Sequence, residues 1–412
     1  MATSGRGDWD VVVVGAGLAG HCAALEAARR GARVLLLESQ GGPGGSSRIS
    51  AGFFAFAGTP LQRAAGVEDG PDRLFRDLWA VGGGASDPAL LRTYAKGQLA
   101  LHDWLVGLGA RFTGLQQGGG QSVARAHRAD PMALMACLAR AVEEHPRILQ
   151  RLSARATRLM RRDGAVAGVA TAPAEEVMTA GAVVLATGGF SLAEDLLARF
   201  APDQAQAIRV GGAGSLGDGL RMALPLGAGL RDMEHIKGTF GAHADSSGER
   251  YEALLAFYLG AVIVNRAGRR FVDEAVSYKL IGAACLRQTG AIGFQVFDQS
   301  VMERGEPGVP LFDFAAALAA GRLVRADTRR RWRAPAGWTR AVWRRRWPPT
   351  TPASRPAPAR RAAWGFATAP ARRRPWTARP STPSRPGRPC SPPIAAWPSI
   401  RTGRCSARRG GR

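Results

Sequence analysis

The segment Asp10–Gly20 reads DVVVVGAGLAG and sets the expectation for the whole chain. The continuous β-branched run Val11–Val14 predicts a buried strand, Gly15 ends it, and the Ala-rich residues that follow predict a helix. Gly31 ends that helix, and Arg33–Glu38 predicts the next strand. A strand, a helix and a second strand in this order form a βαβ unit, which opens a parallel sheet. The sequence therefore predicts an α/β fold.

The glycines of this segment follow the spacing G-x-G-x-x-G, which is typical of turns that bind dinucleotides. Gly15 permits the tight turn, Gly17 lets the backbone approach a pyrophosphate, and Gly20 lets the helix pack closely on the strand. The helix N-terminus attracts phosphates, and Glu38, at the end of the second strand, can accept hydrogen bonds from ribose hydroxyls. That carboxylate would repel a 2′-phosphate, which argues against NADP. The alternative is a purely structural glycine turn.

A second glycine-rich stretch, Gly44–Gly52, follows soon after Glu38. Its small residues, backbone amides and hydroxyls suit a long cofactor that continues past its pyrophosphate to a flavin ring, which favours FAD over NAD. Considered alone, the stretch could equally be a flexible surface loop.

The chain beyond this stretch continues the α/β pattern. The sequence to roughly Ala110 is amphipathic and predicts helices. Leu149–Val169 alternates like a pair of strands around a turn at Arg162–Gly164, and Ala182–Ala186 predicts another buried strand that leads into Thr187–Gly189.

The composition indicates a globular chain with an unusual end. Apolar residues make up 46% of the 412 residues, which is enough for a large core. The formal net charge is +24, but residues 328–412 contain 22 Arg and no Lys, Asp or Glu, so residues 1–327 carry only +2. The same end segment holds 15 of the 26 Pro and 7 of the 10 Trp, and it contains no Leu.

Without Leu or periodicity, the Arg/Pro/Trp-rich tail 328–412 cannot build a core and is predicted to be disordered. We interpret it as the product of a shifted reading frame, because a frame change in GC-rich DNA converts Leu and acidic codons together into Trp and Arg codons. The alternative is a basic arm that binds nucleic acid by neutralising phosphates. We disfavour nucleic-acid binding, since a functional arm would not need to lose every Leu and Lys.

The cysteines and the chain start bear on location. The five cysteines are scattered, without a CxxC pair or zinc-ligand spacing: Cys22, Cys137, Cys285, Cys390 and Cys405. They predict no metal site and a reducing, cytoplasmic location. The start is short and polar, and no run reaches the roughly 18 apolar residues of a membrane helix, so we expect neither export nor membrane insertion.

Taken together, the motifs resemble those of the FAD-dependent fumarate reductase, succinate dehydrogenase and 3-ketosteroid dehydrogenase flavoproteins, over residues 10 to about 325. Besides the two glycine-rich stretches, the resemblance rests on Gly119–Ser122 with Arg125–Arg128, on Ala186–Phe190, on Gly217–Gly219 and on Val264–Glu274. It implies a Rossmann-like FAD-binding domain at residues 1–235 with an inserted α+β capping domain at residues 236–327. The family's C-terminal segment that returns to the first domain is not visible, so both domains are expected to be incomplete.

The resemblance also implies which residues bind FAD. The cofactor-binding candidates are Gly15, Ala16, Gly17, Gly20, Glu38, Gly45, Ser46, Ser47, Ser50, Gly52, Ala156, Thr187, Gly188 and Asp218. Ala156 would meet the adenine through its backbone, Asp218 would lie on the FAD, and the serines with Gly52 would lie along its ribityl and flavin end. Membrane-bound relatives attach FAD covalently through a histidine whose position matches Ser47 here, so we expect non-covalent FAD.

The candidates for catalysis are Tyr278, His127 and Arg125. Fumarate reductases carry a His-Pro-Thr segment and a proton-donating arginine, but Asp232–Phe240 lacks that segment and Tyr278 takes the arginine's place, which argues against fumarate reduction. The tyrosine is similar to those of ketosteroid dehydrogenases, because a phenol can donate to a carbonyl or take a proton while the flavin accepts hydride. Arg125 and His127 would bind an anionic substrate or face the flavin pyrimidine. The alternatives are an ordinary half-buried aromatic at Tyr278 and a structural histidine at His127.

We therefore expect an FAD-dependent oxidoreductase that transfers hydride between flavin N5 and a carbon next to a carbonyl or carboxylate. Its substrate would be a small molecule, such as a carboxylate, a polycarboxylate or a ketosteroid-like enone, and its electron donor or acceptor is unknown. The alternative is a catalytically dead remnant of such a flavoprotein, because the missing return segment would leave hydrophobic surface exposed.

Overall fold

A computed structural model of the chain describes residues 8–236, 238–246 and 252–325. The described strands are β1 (Trp9–Val14), β2 (Val34–Leu37), β3 (Phe53–Ala55), β4 (Gly114–Gln116), β5 (Ala126–Arg128), β6 (Ile148–Arg151), β7 (Arg155–Arg162), β8 (Ala165–Ala172), β9 (Val177–Leu185), β10 (Val262–Val264) and β11 (Phe294–Val296). The described α-helices are α1 (Leu18–Arg29), α2 (Gly45–Arg48), α3 (Pro60–Ala64), α4 (Pro71–Val81), α5 (Pro88–Gly107), α6 (Pro131–Glu143), α7 (Glu194–Phe200), α8 (Asp218–Ala223), α9 (Tyr278–Leu286), α10 (Gln299–Met302) and α11 (Phe314–Ala319).

A six-stranded sheet in the order β6-β2-β1-β9-β8-β7 forms the centre of the fold. β6, β2, β1 and β9 run parallel, and β8 and β7 continue the sheet in antiparallel pairing. Val11–Val14 pairs with Val34–Leu37 on one side and with Ala182–Leu185 on the other. The two neighbours of β1 in the sheet, β2 and β9, come from separate parts of the chain, and in open α/β sheets ligands bind at the carboxyl ends of the strands where the strand order switches in this way.

Apolar side chains cover both faces of the parallel strands. Val13 and Leu36 pack with α1, α5 and α6 on one face, and Val12 and Leu35 pack beneath the β7–β8 hairpin and α8 on the other. All four side chains are fully buried. Burial on both faces explains why these strands are continuous apolar runs in the sequence.

A second, antiparallel sheet in the order β3-β5-β4 lies among the helices α3 to α5. Its central strand places His127 opposite both Phe54 and Leu115. The packing of Leu74 of α4 against Ala95 of α5 holds these helices together.

Residues 238–325 are built around two apolar clusters. One contains Phe240, Ile263 and Ile281, and the other contains Ala256 and Phe314, with Phe314 fully buried. β10 and β11 pair antiparallel within this region. Arg128 of β5 forms an ion pair with Glu306 at 3.0 Å, which joins the region to the small sheet.

The predicted α/β fold is confirmed, and β1, α1 and β2 form the expected βαβ unit. The predicted hairpin is also present, and β7 turns into β8 through Asp163 and Gly164, whose φ angles are 52° and 81°. Residues 328–412, with their predictions of disorder and a shifted frame, lie outside the described residues.

Three details of the predictions were wrong. The sequence before Ala110 is not helical throughout, because β3 belongs to the small sheet. Leu149 belongs to the parallel edge strand β6 rather than to the hairpin. The end of β9 is not buried, since Val184 and Leu185 are each 37% exposed. Among the described residues, β1 is the only strand that pairs with Ala182–Leu185.

Across the described ranges, no helix is long and apolar enough to span a bilayer. The same residues contain no group of three or more His, Cys, Asp or Glu side chains that could hold a metal ion.

Candidate cofactor and substrate site

The turn after β1 has the tight geometry that its glycines predict. Gly15 has a φ of 106° and donates its N–H to the Leu37 carbonyl at 2.7 Å. A Cβ at Gly15 would lie 2.4 Å from the Ala186 oxygen, and a Cβ at Gly20 would lie 1.7 Å from the Gly15 oxygen. Both positions therefore require glycine.

Gly17 serves a different purpose, because its backbone does not require glycine. It is the N-cap of α1, with an extended φ of −80°, and a Cβ there would lie 3.6 Å from Ser47 Oγ. Ser47 Oγ accepts a hydrogen bond from Leu18 N at 3.1 Å, and Gly44 N donates to the Ala16 oxygen at 2.8 Å. The absent side chain leaves space between the turn and the second glycine-rich loop. That space faces the positive end of α1, which suits a diphosphate.

Glu38 lies at the end of β2, beside this turn, and is only 6% exposed. Its Oε2 accepts from Ala16 N at 2.9 Å, and its Oε1 accepts from Gln40 N at 2.9 Å and from Ser39 Oγ at 3.1 Å. A carboxylate offers about four acceptor positions, so capacity remains for a ribose hydroxyl.

Ala156 and Asp218 are connected to Glu38 through the start of β7. Ala154 N donates to the backbone carbonyl oxygen of Glu38 at 2.8 Å, which brings the start of β7 beside Glu38. Ala156, two residues further along, is 4% exposed. The neighbouring Arg155 forms two hydrogen bonds with the Asp218 carboxylate, at 2.7 and 2.9 Å. The structure therefore brings Ala156 and Asp218, both predicted to contact FAD, close to Glu38.

The residues predicted for the flavin end form one continuous loop. α2 begins at Gly45, and Ser46 Oγ accepts a hydrogen bond from Gly212 N at 2.9 Å. Ser50 Oγ donates to a carbonyl of α2 at 2.9 Å and accepts from Gly52 N at 3.3 Å. Gly52 has a φ of 70°, a conformation that favours glycine.

Thr187 and Gly188 follow β9 and form the third segment of the site that comes directly after a strand of the central sheet. Thr187 Oγ1 accepts from Gly219 N at 3.2 Å, and Gly188 has a φ of 75°. Both residues border an open crevice of about 270 Å³ whose lining includes Leu185 and Leu230.

These positions fit FAD. The phosphate turn, the ribose carboxylate and the Thr187–Gly188 turn follow β1, β2 and β9, which are neighbours in one sheet. The backbone at Gly17, which carries no side chain beside Ser47, and the remaining acceptor capacity of Glu38 are the two features that a dinucleotide would use.

Arg125 lies just before β5 and is 1% exposed. Its Nε and Nη2 donate to the two carboxylate oxygens of Asp69 at 2.9 and 2.8 Å, and its Nη1 donates to Asp77 Oδ2 at 2.7 Å. Asp77 Oδ2 also accepts from the backbone and hydroxyl of Ser122, at 2.7 and 2.9 Å. The guanidinium is thus enclosed by two carboxylates and holds buried structure together.

His127 is fully buried in β5, two residues beyond Arg125. Its Nδ1 lies 2.7 Å from the Arg125 carbonyl and its Nε2 lies 2.7 Å from Thr59 Oγ1. A carbonyl can only accept, so Nδ1 carries the proton and the threonine hydroxyl donates to Nε2. Burial lowers the pKa of His127, and the ring is therefore neutral at pH 7.

Tyr278 begins α9 and is half-buried against the cluster around Ile263. The loop 117–122 passes beside it, because a Cβ at Gly119 would lie 3.1 Å from the Cα of Ser277. Since Ser122 of the same loop bonds to Asp77, this loop connects Tyr278 with the buried network of Arg125.

Sequence reasoning missed three residues of this region. Asp69 and Asp77 belong to no motif. The only available signal was their position, since Asp69 precedes α4 and Asp77 lies within it, in a stretch that the sequence predicts to be helical. Tyr258, which packs against the same cluster as Tyr278, stands in an apolar stretch that predicts core.

A family model described as FAD binding domain matches residues 10–379. The fumarate reductase (cytochrome) of Shewanella frigidimarina is 33% identical over 311 residues, which cover 73% of this chain and 54% of that protein. The open conformation of a flavocytochrome c3 fumarate reductase aligns with 31% identity and a TM-score of 0.63, over 72% of this chain and 54% of that one. The 3-ketosteroid-delta4-(5alpha)-dehydrogenase of Rhodococcus jostii, in complex with 4-androstene-3,17-dione, aligns with 27% identity and a TM-score of 0.61, over 73% of this chain and 69% of that one.

The chain spans about half the length of the curated relatives it matches. The family match covers most of the sequence, begins at the first predicted strand and continues past residue 325. With a dinucleotide turn, a ribose carboxylate and relatives among fumarate reductases and 3-ketosteroid dehydrogenases, the chain belongs to the FAD binding domain family.

Proposed function

We propose that the chain is an FAD-dependent oxidoreductase that transfers hydride between the flavin and a carbon next to a carbonyl or carboxylate. The observation that supports this most is the convergence of the Gly15–Gly20 turn, Glu38 and Thr187–Gly188 at the carboxyl ends of β1, β2 and β9. In open α/β sheets this edge is where the ligand binds.

Each end of the site would hold one part of FAD. The N-terminus of α1 at Gly17 would bind the pyrophosphate, and Glu38 would accept hydrogen bonds from the ribose. Ala156 and Asp218 would line the adenosine end, and the loop 45–52 would line the ribityl chain and the ring. Bound flavin supplies N5 as the site that gives or takes hydride. Because Ser47 stands where covalent relatives carry histidine, the FAD would be dissociable.

Tyr278 would move the proton that accompanies hydride transfer. A phenol next to a substrate carbonyl can donate a hydrogen bond, and next to a substrate carbon it can give or take a proton. The relatives include a fumarate reductase and an androstenedione-bound dehydrogenase, so carboxylates and enones are the two substrate classes to test.

Arg125 and His127 would act indirectly in this proposal. Both are buried and hydrogen-bonded to protein groups, and Arg125 is tied through Asp77 to the loop that passes Tyr278. We assign them a positioning role and not contact with the substrate.

The test is to purify the full chain, add FAD, remove the excess and record the flavin spectrum. The proposal expects one bound flavin per chain, which acid precipitation releases into the supernatant, and bleaching of the bound flavin by a chemical reductant that an enone or unsaturated acid reverses. A chain that binds no flavin, before or after refolding with FAD, contradicts the proposal. Yellow flavin that stays with the precipitated polypeptide contradicts non-covalent binding.

An inactive remnant is the second candidate, and the exposed end of β9 favours it. Val184 and Leu185 are 37% exposed although they belong to a central strand, so no segment among the described residues covers this end of β9. In this proposal the tail 328–412 is the product of a shifted frame. The gene's nucleotide sequence after codon 325, translated in all three frames, tests it: a family-like glycine-rich end in another frame supports the shift, and its absence from every frame contradicts it.

The remaining predictions are proposals of the same kind. We propose that a domain boundary lies near residue 235, that the protein is located in the cytoplasm and that it does not bind nucleic acid. Binding of DNA that weakens steeply with salt and disappears on deletion of residues 328–412 would contradict the last of these.

A further inference from the structure

One buried histidine lies at the turn proposed for the diphosphate. His21 stands near the start of α1, directly after Gly20, and its side chain is fully buried. Its Nδ1 lies 2.9 Å from the carbonyl oxygen of Gly17, which also accepts from the His21 backbone amide at 3.0 Å. Because a carbonyl can only accept, Nδ1 carries the proton. The ring is thus fixed to the N-cap residue of the helix.

The second ring nitrogen of His21 is unpaired. Nε2 is buried, and none of the described residues forms a hydrogen bond with it. In the neutral ring this atom is an acceptor, and a buried acceptor without a partner costs free energy. An apolar side chain would avoid that cost, since Ala24, Leu25 and Ala28 on the same side of α1 belong to the apolar core. An unpaired imidazole at this position points to a role of its proton-accepting nitrogen.

Burial and three neighbouring groups act on His21 in opposite directions. Burial lowers the pKa of His21, and it outweighs the Gly17 carbonyl, the Glu38 carboxylate and the Ala16 carbonyl, which raise it. The ring of the chain alone is therefore neutral at pH 7. Glu38 also holds the turn directly, because its Oε2 accepts from Ala16 N at 2.9 Å.

Glu38 is the charged group that acts on His21 among the residues that the structure describes. The residues of α6 that share the apolar cluster with this side of α1 carry no charge: Leu134, Met135, Leu138 and Val142. Farther along α1, the carboxylate of Glu26 is paired with Arg29 and Arg30. Negative charge added at the turn would therefore act on His21 without a competing ion pair.

We propose that His21 takes up a proton when FAD binds, and that the resulting cation beside the turn strengthens cofactor binding as the pH falls. The diphosphate would bring two negative charges to the N-terminus of α1, at the residue to which the ring is hydrogen-bonded. These charges would add to the attraction of Glu38 and of the two carbonyls, and so would oppose the effect of burial. This inference rests on the proposed function, in which the turn binds FAD.

The proton that is taken up comes from solvent and goes to Nε2 of His21. FAD keeps its own charge between about pH 6 and about pH 8, because its phosphates stay ionised and its rings stay neutral. The complex then holds more protons than the free chain and free FAD together. Affinity is consequently highest at low pH and falls as the pH rises through the pKa of His21 in the complex.

The test measures the Kd of FAD by fluorescence titration of the full chain at about pH 6 and about pH 8. Calorimetry in two buffers of different ionisation enthalpy measures the protons taken up on binding. For the parent protein we expect a Kd at least about threefold lower at the acid pH, with net uptake of protons. H21N should remove both effects, since an amide can still donate to the Gly17 carbonyl but does not take up a proton. H21F, which also lacks that donor, should remove them as well.

H145Q is the matched control. His145 precedes β6, at the amino end of the parallel strands and away from the edge that would bind FAD, and its Nδ1 accepts from Arg147 N at 3.2 Å. This variant should keep the pH dependence of the parent protein. If neither His21 variant folds, NMR of the six histidine rings decides. A histidine that titrates at higher pH with FAD than without it supports the proposal, and the absence of such a histidine overturns it.

Two results separate this inference from the proposed function. FAD that binds with the same Kd at both pH values and without proton uptake overturns the inference alone, and so does a pH dependence that H21N retains. A chain that binds no FAD at either pH contradicts the proposed function, and the inference with it.

Discussion

Replacing Arg125 with methionine separates a buried structural charge from an anion-binding group. R125M keeps most of the side-chain volume but removes three charge-assisted hydrogen bonds, at 2.9, 2.8 and 2.7 Å. It leaves the fully buried carboxylate of Asp69 without its guanidinium partner. Removing one partner of a buried ion pair typically costs about 3–5 kcal/mol, because the other charge stays buried and uncompensated.

Arg128, three residues further along the chain at the end of β5, is a matched control. It pairs with Glu306 at 3.0 Å, but the two side chains are 30% and 49% exposed. Exposed ion pairs contribute about 0–1 kcal/mol, so R128M should change stability little. The two variants therefore should differ by roughly 3 kcal/mol, which is about a hundredfold in the folding equilibrium.

The assay is urea denaturation of the full chain, followed by far-UV circular dichroism, for the parent protein, R125M, R128M and D69N/R125M. We expect a lower midpoint with an unchanged slope for R125M, and partial recovery in D69N/R125M because the unpaired charge is removed. If R125M had the same urea midpoint as R128M, the interpretation of Arg125 as a buried structural charge would be refuted. Arg125 would then again be a candidate for contact with a ligand.

Three further predictions concern stability and association. Burial lowers the pKa of His127 below the ordinary value of about 6.5, so the neutral ring contributes to the free energy of unfolding above that pH, and this contribution is lost as the pH falls below it. H127Q should therefore reduce the decrease in unfolding free energy between about pH 7.5 and about pH 5, and an unchanged decrease would contradict this. G20A should cost about 3 kcal/mol in urea denaturation because its Cβ would lie 1.7 Å from a backbone oxygen, whereas G97A, in α5 with nothing within 4 Å, should gain about 0.5–1 kcal/mol; equal effects of the two changes would be inconsistent with the turn. V184K should reduce self-association of the chain in light scattering, because it places a charge at the exposed end of β9, and unchanged association would mean that this edge is not the contact.

The βαβ unit could be predicted from sequence because its signals are local. The run Val11–Val14, the three glycines and Glu38 lie within one short segment, and each has a meaning that does not depend on distant contacts. The β7–β8 hairpin was predictable for the same reason, since the turn at Asp163 and Gly164 lies between the strands that it joins.

The features that were missed depend on contacts far apart in the chain. The residues that enclose Arg125 lie 48 and 56 positions away, so no window of sequence indicates that the guanidinium is paired. The burial of β9 was predicted from its apolar residues, but burial depends on whether another segment covers them, and the described residues provide no second strand there.

FAD affinity of the G17V variant tests the central claim most directly. The backbone of Gly17 is extended and a Cβ there meets nothing closer than 3.6 Å, so valine should fold normally while filling the space proposed for the pyrophosphate. Fluorescence titration of FAD with the full chain should give a Kd for G17V at least about tenfold weaker than that of the parent protein, a loss of about 1.4 kcal/mol or more, with an unchanged urea midpoint. A G17V chain that binds FAD as tightly as the parent protein would contradict the assignment of this turn as the cofactor site.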